Sequence, residues 1–178
     1  MLDEHLTLAQ SLYRMDTKNN YLEALGEIQA GLKIDKRSKS ANALQVLVSA
    51  LLAYREPGFV FLSRAKMLLK KADQELMLTP EYQAGRALVY LAEKNFSGAR
   101  VVSEKLVESY PDYALGYWLL AQVNMTGAVK TYDQAESLFN KAIELEPNLV
   151  QARAGLAELN FQRGQYQPAL DQFEEVLK

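Results

Sequence analysis

Cysteine is absent from this chain, and histidine occurs once, as His5. A chain without cysteine has no disulfide, thiolate zinc site, iron–sulfur cluster or cysteine nucleophile. We interpret His5 as an ordinary helix residue, because a single histidine near a chain terminus has no catalytic or metal-binding partner in the sequence. The net charge is −2, so the chain lacks the overall positive field that is typical of nucleic-acid binders.

Catalytic and membrane signatures are also absent. No phosphate-binding glycine loop, HExxH sequence or acidic metal-binding loop occurs, so we expect no enzyme activity, no cofactor and no metal site. The longest apolar stretch, residues 43–54, is too short to span a bilayer, which takes about 20 residues. Without a signal peptide core at the N-terminus, the sequence leaves the compartment open between cytoplasm and periplasm.

Helical periodicity extends over the whole chain. Proline and glycine number only five and nine, and they lie between segments that are rich in strong helix formers. Thr79-Pro80-Glu81 is typical of a helix start, and Pro111 and Pro147 each separate one helix from the next. The pattern predicts an all-α protein of ten helices, at 3–15, 19–35, 40–54, 58–77, 80–93, 97–109, 112–125, 131–145, 148–163 and 167–177.

The predicted helices form repeating pairs. One alanine recurs in the second helix of each pair, at intervals of 41, 34, 36 and 34 residues: Ala24, Ala65, Ala99, Ala135 and Ala169. Large apolar side chains precede it by three residues, and mostly apolar ones follow it by four and seven. These offsets place all of them on one helical stripe. We expect the small alanine to let a neighbouring helix approach closely.

The first helices of the later pairs share a second pattern. Tyr117, Leu120, Ala121 and Asn124 share one face, and Arg153, Leu156, Ala157 and Asn160 repeat the same spacing. With Pro111 and Pro147 closing two repeats, this arrangement resembles the tetratricopeptide repeat (TPR) family, whose pattern is W-x2-L-G-x2-Y, A-x3-F and P over about 34 residues. The resemblance is strong for residues 80–178. Residues 1–79 lack the closing proline, so a related helical hairpin repeat stays open there.

The resemblance implies an α-solenoid of about five TPR-like helical hairpins in a right-handed superhelix. We expect a single repeat array over residues 1–178, with units at about 1–38, 39–79, 80–111, 112–147 and 148–178. Leu170, Phe173 and Val176 are expected to pack inward although no further sequence covers that flank. We therefore expect either that the chain is a fragment of a longer protein or that its open C-terminal end self-associates.

In the TPR family, the first helix of each pair lines a concave groove that binds another protein. Transferred to this chain, the resemblance predicts an apolar partner-binding face, with Trp118 pointing into the groove. The alternative is that the register differs by one residue and these side chains belong to the core. The candidate residues are Leu44, Leu47, Leu51, Tyr54, Leu88, Leu91, Leu115, Trp118, Gln122, Met125, Glu158 and Phe161.

Charge is unevenly distributed along the chain. Residues 32–71 carry nine basic and two acidic side chains, a local charge of +7, whereas residues 81–178 carry −4. Such an asymmetry favours an acidic partner or an anionic membrane surface, and the alternative is a solvated helix face. Few aromatic residues are interleaved with the basic ones, which argues against nucleic acid.

Our hypothesis from the sequence is a non-enzymatic scaffold that mediates protein–protein interaction through an apolar concave groove. The partner is another protein or a peptide segment, and membrane contact arises only through a partner or through parts of the protein outside this chain. The alternative function is that of a periplasmic or membrane-associated assembly factor for a secreted, pilus or polysaccharide system.

Overall fold

The computed structural model describes residues 1–126 and 131–176, with the side chain of Val176 outside the description. Within those residues every regular element is an α-helix, as the periodicity predicts, and no helix is long and apolar enough to cross a membrane. The helices are α1 (Leu2–Arg14), α2 (Lys18–Ile34), α3 (Lys39–Arg55), α4 (Phe59–Lys71), α5 (Gln74–Met77), α6 (Pro80–Ala92), α7 (Phe96–Ser109), α8 (Ala114–Thr126), α9 (Tyr132–Leu145), α10 (Val150–Gln162) and α11 (Tyr166–Val176).

The helices form two compact units, Met1–Val102 and Ser103–Lys178, and the boundary falls within α7. In the first unit, α1 packs on α2, and α3 packs on α2, α4 and α6. Eleven of the 17 residues of α3 are buried, so α3 is the central helix of this unit. In the second unit, α9 packs on both α8 and α10, and α10 packs on α11. The expectation of one continuous array over residues 1–178 stays a prediction.

Side-chain caps define several helix starts. The Thr79 hydroxyl accepts a hydrogen bond from the Tyr82 backbone N–H at 3.3 Å, and Pro80 is the first residue of α6, as the sequence predicts. The Ser38 hydroxyl caps α3 in the same way, through the Ala41 N–H at 3.3 Å. These bonds satisfy backbone donors that have no partner within the first turn of a helix.

Three of the turns inside the helical pairs share one backbone feature. Asp16, Lys94 and Gly164 have positive φ angles of 51°, 58° and 75°. Each lies two residues after its helix ends and two residues before the next helix begins. A residue in this left-handed conformation reverses the chain directly after a helix, and glycine adopts it without a steric penalty. The three turns are therefore built alike although their residue types differ.

The predicted helix at 58–77 is wrong as a single element. It divides into α4 and the one-turn helix α5, because Ala72 is extended, with a ψ of 137°. The Asp73 carboxylate then accepts a hydrogen bond from the Leu76 N–H at 2.8 Å and starts α5. Aspartate favours such local bonds over continuation of a helix, which explains the break.

The recurrent alanines lie in the core, as predicted. Ala24, Ala65, Ala99 and Ala135 are fully buried, and Ala169 is 3% exposed. Their position along the helix divides the repeats into two groups. The alanine is the seventh residue of α2 and α4 but the fourth residue of α7, α9 and α11. In the first two pairs the second helix therefore begins about one turn further before the buried alanine than it does in the last three pairs.

Two glycines mark further close contacts between helices. A Cβ atom added at Gly85 of α6 would lie 2.7 Å from Val46 Cγ1 of α3. A Cβ atom added at Gly155 of α10 would lie 2.4 Å from Phe139 Cε1 of α9. Both distances are shorter than a van der Waals contact, so a larger residue at either position requires the facing side chain or its helix to shift.

We expect Ala135→Leu to destabilise the second unit by about 1–3 kcal/mol, because three additional carbon atoms overpack a fully buried site. Ser137→Leu, at an exposed position on the same helix, is the control and should change stability by less than about 0.5 kcal/mol. Urea unfolding followed by circular dichroism measures both. Equal stabilities of the two variants would contradict the alanine contact.

Candidate protein-binding surface

Most of the predicted groove residues are buried. Eight of the twelve have exposed fractions of 5% or less: Leu44, Leu47, Leu51, Leu88, Leu91, Leu115, Trp118 and Met125. The expectation that they form an exposed apolar row is wrong in this conformation. The alternative that these side chains belong to the core describes all eight.

Packing explains this correction. The helix α3 is enclosed by α2, α4 and α6, so an apolar face on almost any side of it meets another helix. The helix α8 packs on both α9 and α10, and Trp118 of α8 is only 4% exposed. Large apolar side chains at such positions belong to the core, and the burial of each one stabilises the folded state by about 1.5–3 kcal/mol.

The remaining four candidates reach the solvent to different degrees. Tyr54 in the first unit and Gln122 in the second are half-buried. The Gln122 amide lies against α10, since its nitrogen is 3.1 Å from the position of a Cβ atom at Gly155. Glu158 is exposed, and Phe161 is 57% exposed. Glu158 and Phe161 are therefore the predicted residues that are best placed to meet a partner.

Phe161 belongs to a larger exposed surface in the second unit, which we call the apolar patch and define as Phe161, Tyr166, Leu170 and Phe173. Their exposed fractions are 57%, 67%, 49% and 41%. Tyr166, Leu170 and Phe173 follow the i, i+4, i+7 spacing that places side chains on one face of α11. The rings of Phe161 and Tyr166 meet edge to face, with centroids 5.7 Å apart, and join α10 to that face.

Polar contacts hold the end of α10 beside the apolar patch. The Arg163 guanidinium donates to Glu136 at 2.5 Å and to Asp133, both on α9. The Tyr132 hydroxyl donates to the Gln162 side chain at 3.2 Å, and Gln162 donates to Glu158 at 2.7 Å. This network ties α9 to the last turn of α10, so the backbone that carries Phe161 is fixed before any partner binds.

Tyr54 belongs to a partly buried polar cluster in the first unit. The Tyr21 hydroxyl donates to one oxygen of Asp16, and Arg55 donates to the other at 2.9 Å. Burial raises the pKa of Asp16, and the Tyr21 hydrogen bond and the Arg55 charge oppose this shift. Burial, together with the Asp16 charge, raises the pKa of Tyr54 to about 12. Tyr54 is therefore a neutral phenol at physiological pH.

The described residues contain no group of three or more His, Asp or Glu side chains arranged to hold a metal ion. The Nδ1 atom of His5 lies 2.5 Å from a Glu27 oxygen and links α1 to α2. In this position His5 connects two helices of the first unit.

The sequence pattern did not identify Tyr166, Leu170 and Phe173 as binding residues. It placed Tyr166 and Phe173 on the packing stripe of the last pair and expected Leu170 and Phe173 to pack inward, which is wrong, because these two are 49% and 41% exposed. The helix α11 packs on α10 through the stripe that contains Ala169. The signal that could have identified them was already in the sequence, as large apolar residues at helical spacing over residues 166–173.

Comparison with known families and solved structures shows what the chain is similar to. The tetratricopeptide repeat family model matches residues 128–178. No curated protein matches the chain by sequence. A crystal structure of a thermophilic TPR protein from Thermus thermophilus superposes with a TM-score of 0.66 at 21% identity, over 99% of this chain and 90% of that one.

Two further structures show the same architecture. MamA, residues 41 to the end, from Desulfovibrio magneticus RS-1 gives a TM-score of 0.54 at 17% identity, over 99% of this chain and 93% of that one. PilF of Pseudomonas aeruginosa gives 0.56 at 19% identity, over 99% and 75%. The resemblance to the TPR family and the predicted fold class, an α-solenoid of TPR-like helical hairpins, are thereby confirmed.

We expect Trp118→Ala to destabilise the second unit by about 3–5 kcal/mol, because it leaves a cavity at a site that is 4% exposed. Phe161→Ala is the control and should cost less than about 1 kcal/mol, since its ring is largely in solvent. Trp118 is the only tryptophan, so urea unfolding is followed by circular dichroism rather than tryptophan fluorescence. Similar unfolding midpoints for the two variants would contradict the assignment of Trp118 to the core.

We expect the stability that Asp16 contributes to fall as the pH rises. Folding raises its pKa above the ordinary value of 3.8, so protonated Asp16 is favoured in the folded state. Its contribution is complete below pH 3.8 and is lost as the pH passes through the raised pKa. The unfolding free energy of the wild type minus that of Asp16→Asn should therefore decrease from acidic to neutral pH. Glu23→Gln, at an exposed site, is the control. A difference that increases with pH would contradict the assignment.

Proposed function

We propose that this protein is a non-enzymatic scaffold that binds another protein, and that the apolar patch on α10 and α11 is its contact surface. The single observation that carries the proposal is the exposure of four large apolar side chains on one helical pair, inside the segment that the TPR family model matches. Contiguous apolar surface on a folded protein is typical of an interaction site.

The composition of the apolar patch suits an anchor site. Two phenylalanines and a tyrosine provide large contact areas with few rotatable bonds, and aromatic residues are enriched at protein interfaces. Fully burying a completely exposed side chain of this kind contributes about 1.5–3 kcal/mol. These side chains are already partly buried and association has its own entropic cost, so several of them must be covered together for a specific complex. Because the helices are already ordered, binding loses little additional conformational entropy.

The rim of the apolar patch is acidic, which indicates the chemistry of the partner. Four carboxylates on α10 and α11 are exposed: Glu158, Asp171, Glu174 and Glu175. A partner segment that carries apolar anchors flanked by lysine or arginine would complement this surface. An amphipathic helix with apolar residues at i, i+3 or i+4, and i+7 matches the spacing on α11.

The predicted groove is retained in part. Glu158 and Phe161, both on α10, are the residues of that set that we propose for partner contact, whereas the eight buried ones act through the packing of the helices. Contact through Tyr54 and Gln122 stays a prediction. The alternative role is in the assembly of a secreted, pilus or polysaccharide system, and the similarity of fold to PilF is the observation that favours it. A likeness of fold at 19% identity assigns no pathway, so the scaffold function is the one that we develop.

A displayed random-peptide library tests the proposal and does not require the natural partner to be identified. Peptides are selected on the wild-type chain, and their affinities are then measured by fluorescence anisotropy. We expect Phe161→Ala combined with Tyr166→Ala to weaken the selected peptides by at least about tenfold, since two anchors are removed. Circular dichroism should show unchanged helicity, because both side chains are exposed.

The control is Leu8→Ala combined with Leu22→Ala, which removes two apolar side chains of similar exposure (47% and 44%) from the first unit. This variant should bind the selected peptides as the wild type does. If it weakens binding as much as the Phe161 and Tyr166 variant, or if neither variant changes the affinity, the apolar patch is not the contact surface.

A further inference from the structure

A second surface, in the first unit, brings together four basic side chains. Lys36, Arg37 and Lys39 come from the connection between α2 and α3 and from the first turn of α3, and Lys71 comes from the end of α4. They line one cleft of about 420 Å³. We call it the basic cleft. The apolar patch, in contrast, belongs to the other compact unit.

The cations of the basic cleft are available to a ligand. All four side chains are exposed, and none of them takes part in an ion pair with another described residue. Other cations of the first unit do pair: Arg55 with Asp16 at 2.9 Å, Lys66 with Glu93 at 2.5 Å, and Lys18 with Glu56 at 3.5 Å. The lining of the cleft, four cations against the carboxylates of Asp73 and Glu75, therefore has a net charge of +2.

Local hydrogen bonds hold the backbone of the basic cleft in place. The Asp35 carboxylate accepts from the Arg37 N–H at 2.9 Å. The Asn42 side chain donates to the carbonyl of Ser38 at 2.8 Å and to that of Lys36 at 3.3 Å. These bonds fix the connection that carries Lys36 and Arg37, directly before Lys39 at the start of α3. A ligand would therefore meet a preformed charge arrangement and would not need to order a mobile loop.

Two carboxylates distinguish between classes of anionic ligand. Asp73 and Glu75 line the same cleft, opposite in charge to the four cations. A nucleic acid presents a uniform row of phosphates that these carboxylates would repel, and no aromatic side chain lines the cleft to stack on a base. A peptide backbone, in contrast, offers N–H donors to Asp73 and Glu75 while its acidic side chains meet the cations.

We propose that the basic cleft binds an acidic segment of a partner protein, rich in aspartate or glutamate. Each exposed charge pair contributes only about 0.2–1 kcal/mol, so several carboxylates must bind together, and a single small anion would be held weakly. Binding must weaken as salt is added, because exposed charges are screened. This site is independent of the apolar patch, so either one can fail without the other.

The test uses a fluorescein-labelled oligoglutamate peptide and fluorescence anisotropy. We expect the wild type to bind the peptide, with an affinity that falls as sodium chloride is increased. Lys36→Gln, Arg37→Gln and Lys71→Gln combined should bind at least about tenfold more weakly, since three contacts are lost. The control, Lys33→Gln, Lys70→Gln and Lys105→Gln combined, removes the same charge from positions that do not line the cleft and should stay within about twofold of the wild type.

A second measurement leaves the sequence unchanged. Lysine acetylation of the wild type, read by mass spectrometry, should be slower at Lys36, Lys39 and Lys71 when the peptide is present, and equal at Lys33 and Lys105. The proposal is overturned if the wild type does not bind oligoglutamate, if both triple variants lose affinity equally, or if the lysines of the cleft are not protected. It is also overturned if oligothymidylate, or vesicles of phosphatidylserine and phosphatidylcholine, bind the cleft more tightly than oligoglutamate at the same salt.

Discussion

The close approach of helices at small residues is the contact on which this structure depends. A buried alanine in the second helix of each pair, and glycine at Gly85 and Gly155, allow backbones to come near enough for the large side chains on either side to interlock. Phe139 illustrates the result, since it is fully buried and its ring fills the space that a side chain at Gly155 would occupy. One helical pair cannot bury its apolar stripe alone, so each pair requires a neighbour, as in other repeat proteins.

This requirement also determines where apolar surface is left in solvent. Within the second unit, α8 is covered by α9 and α10, and its stripe, including Trp118, is core. The helix α11 packs on α10 with Ala169 buried, and Tyr166, Leu170 and Phe173 stay exposed. The same type of stripe is therefore buried in one helix and exposed in another. The difference lies in whether another helix packs on it, and the proposed contact surface follows from that difference.

Charge is organised separately from apolar burial. In the first unit, the Asp16 carboxylate accepts hydrogen bonds from the Tyr21 hydroxyl and from the Arg55 guanidinium. These bonds connect the turn between α1 and α2 to the end of α3. At the basic cleft four exposed cations outnumber two carboxylates, Asp73 and Glu75, and none of the four takes part in an ion pair with another described residue. The second unit instead surrounds its apolar patch with acidic side chains. The two proposed surfaces thus differ in both chemistry and sign of charge, which suits two different partner segments.

The sequence by itself determined the helical class, the pairing of helices, the alanine contacts and the TPR resemblance, because these depend on local propensity and on periodicity within a helix. It also determined the helix start at Thr79-Pro80. It did not reveal the break at Ala72 and Asp73, where a local hydrogen bond competes with helix continuation. Only the tertiary structure decided that Leu47 and Trp118 are core while Phe161 is exposed, and that Lys71 lies beside Lys36. A helical stripe indicates which residues share a face, but exposure and charge clustering depend on which other helices meet that face, and those contacts join residues that are distant in the sequence.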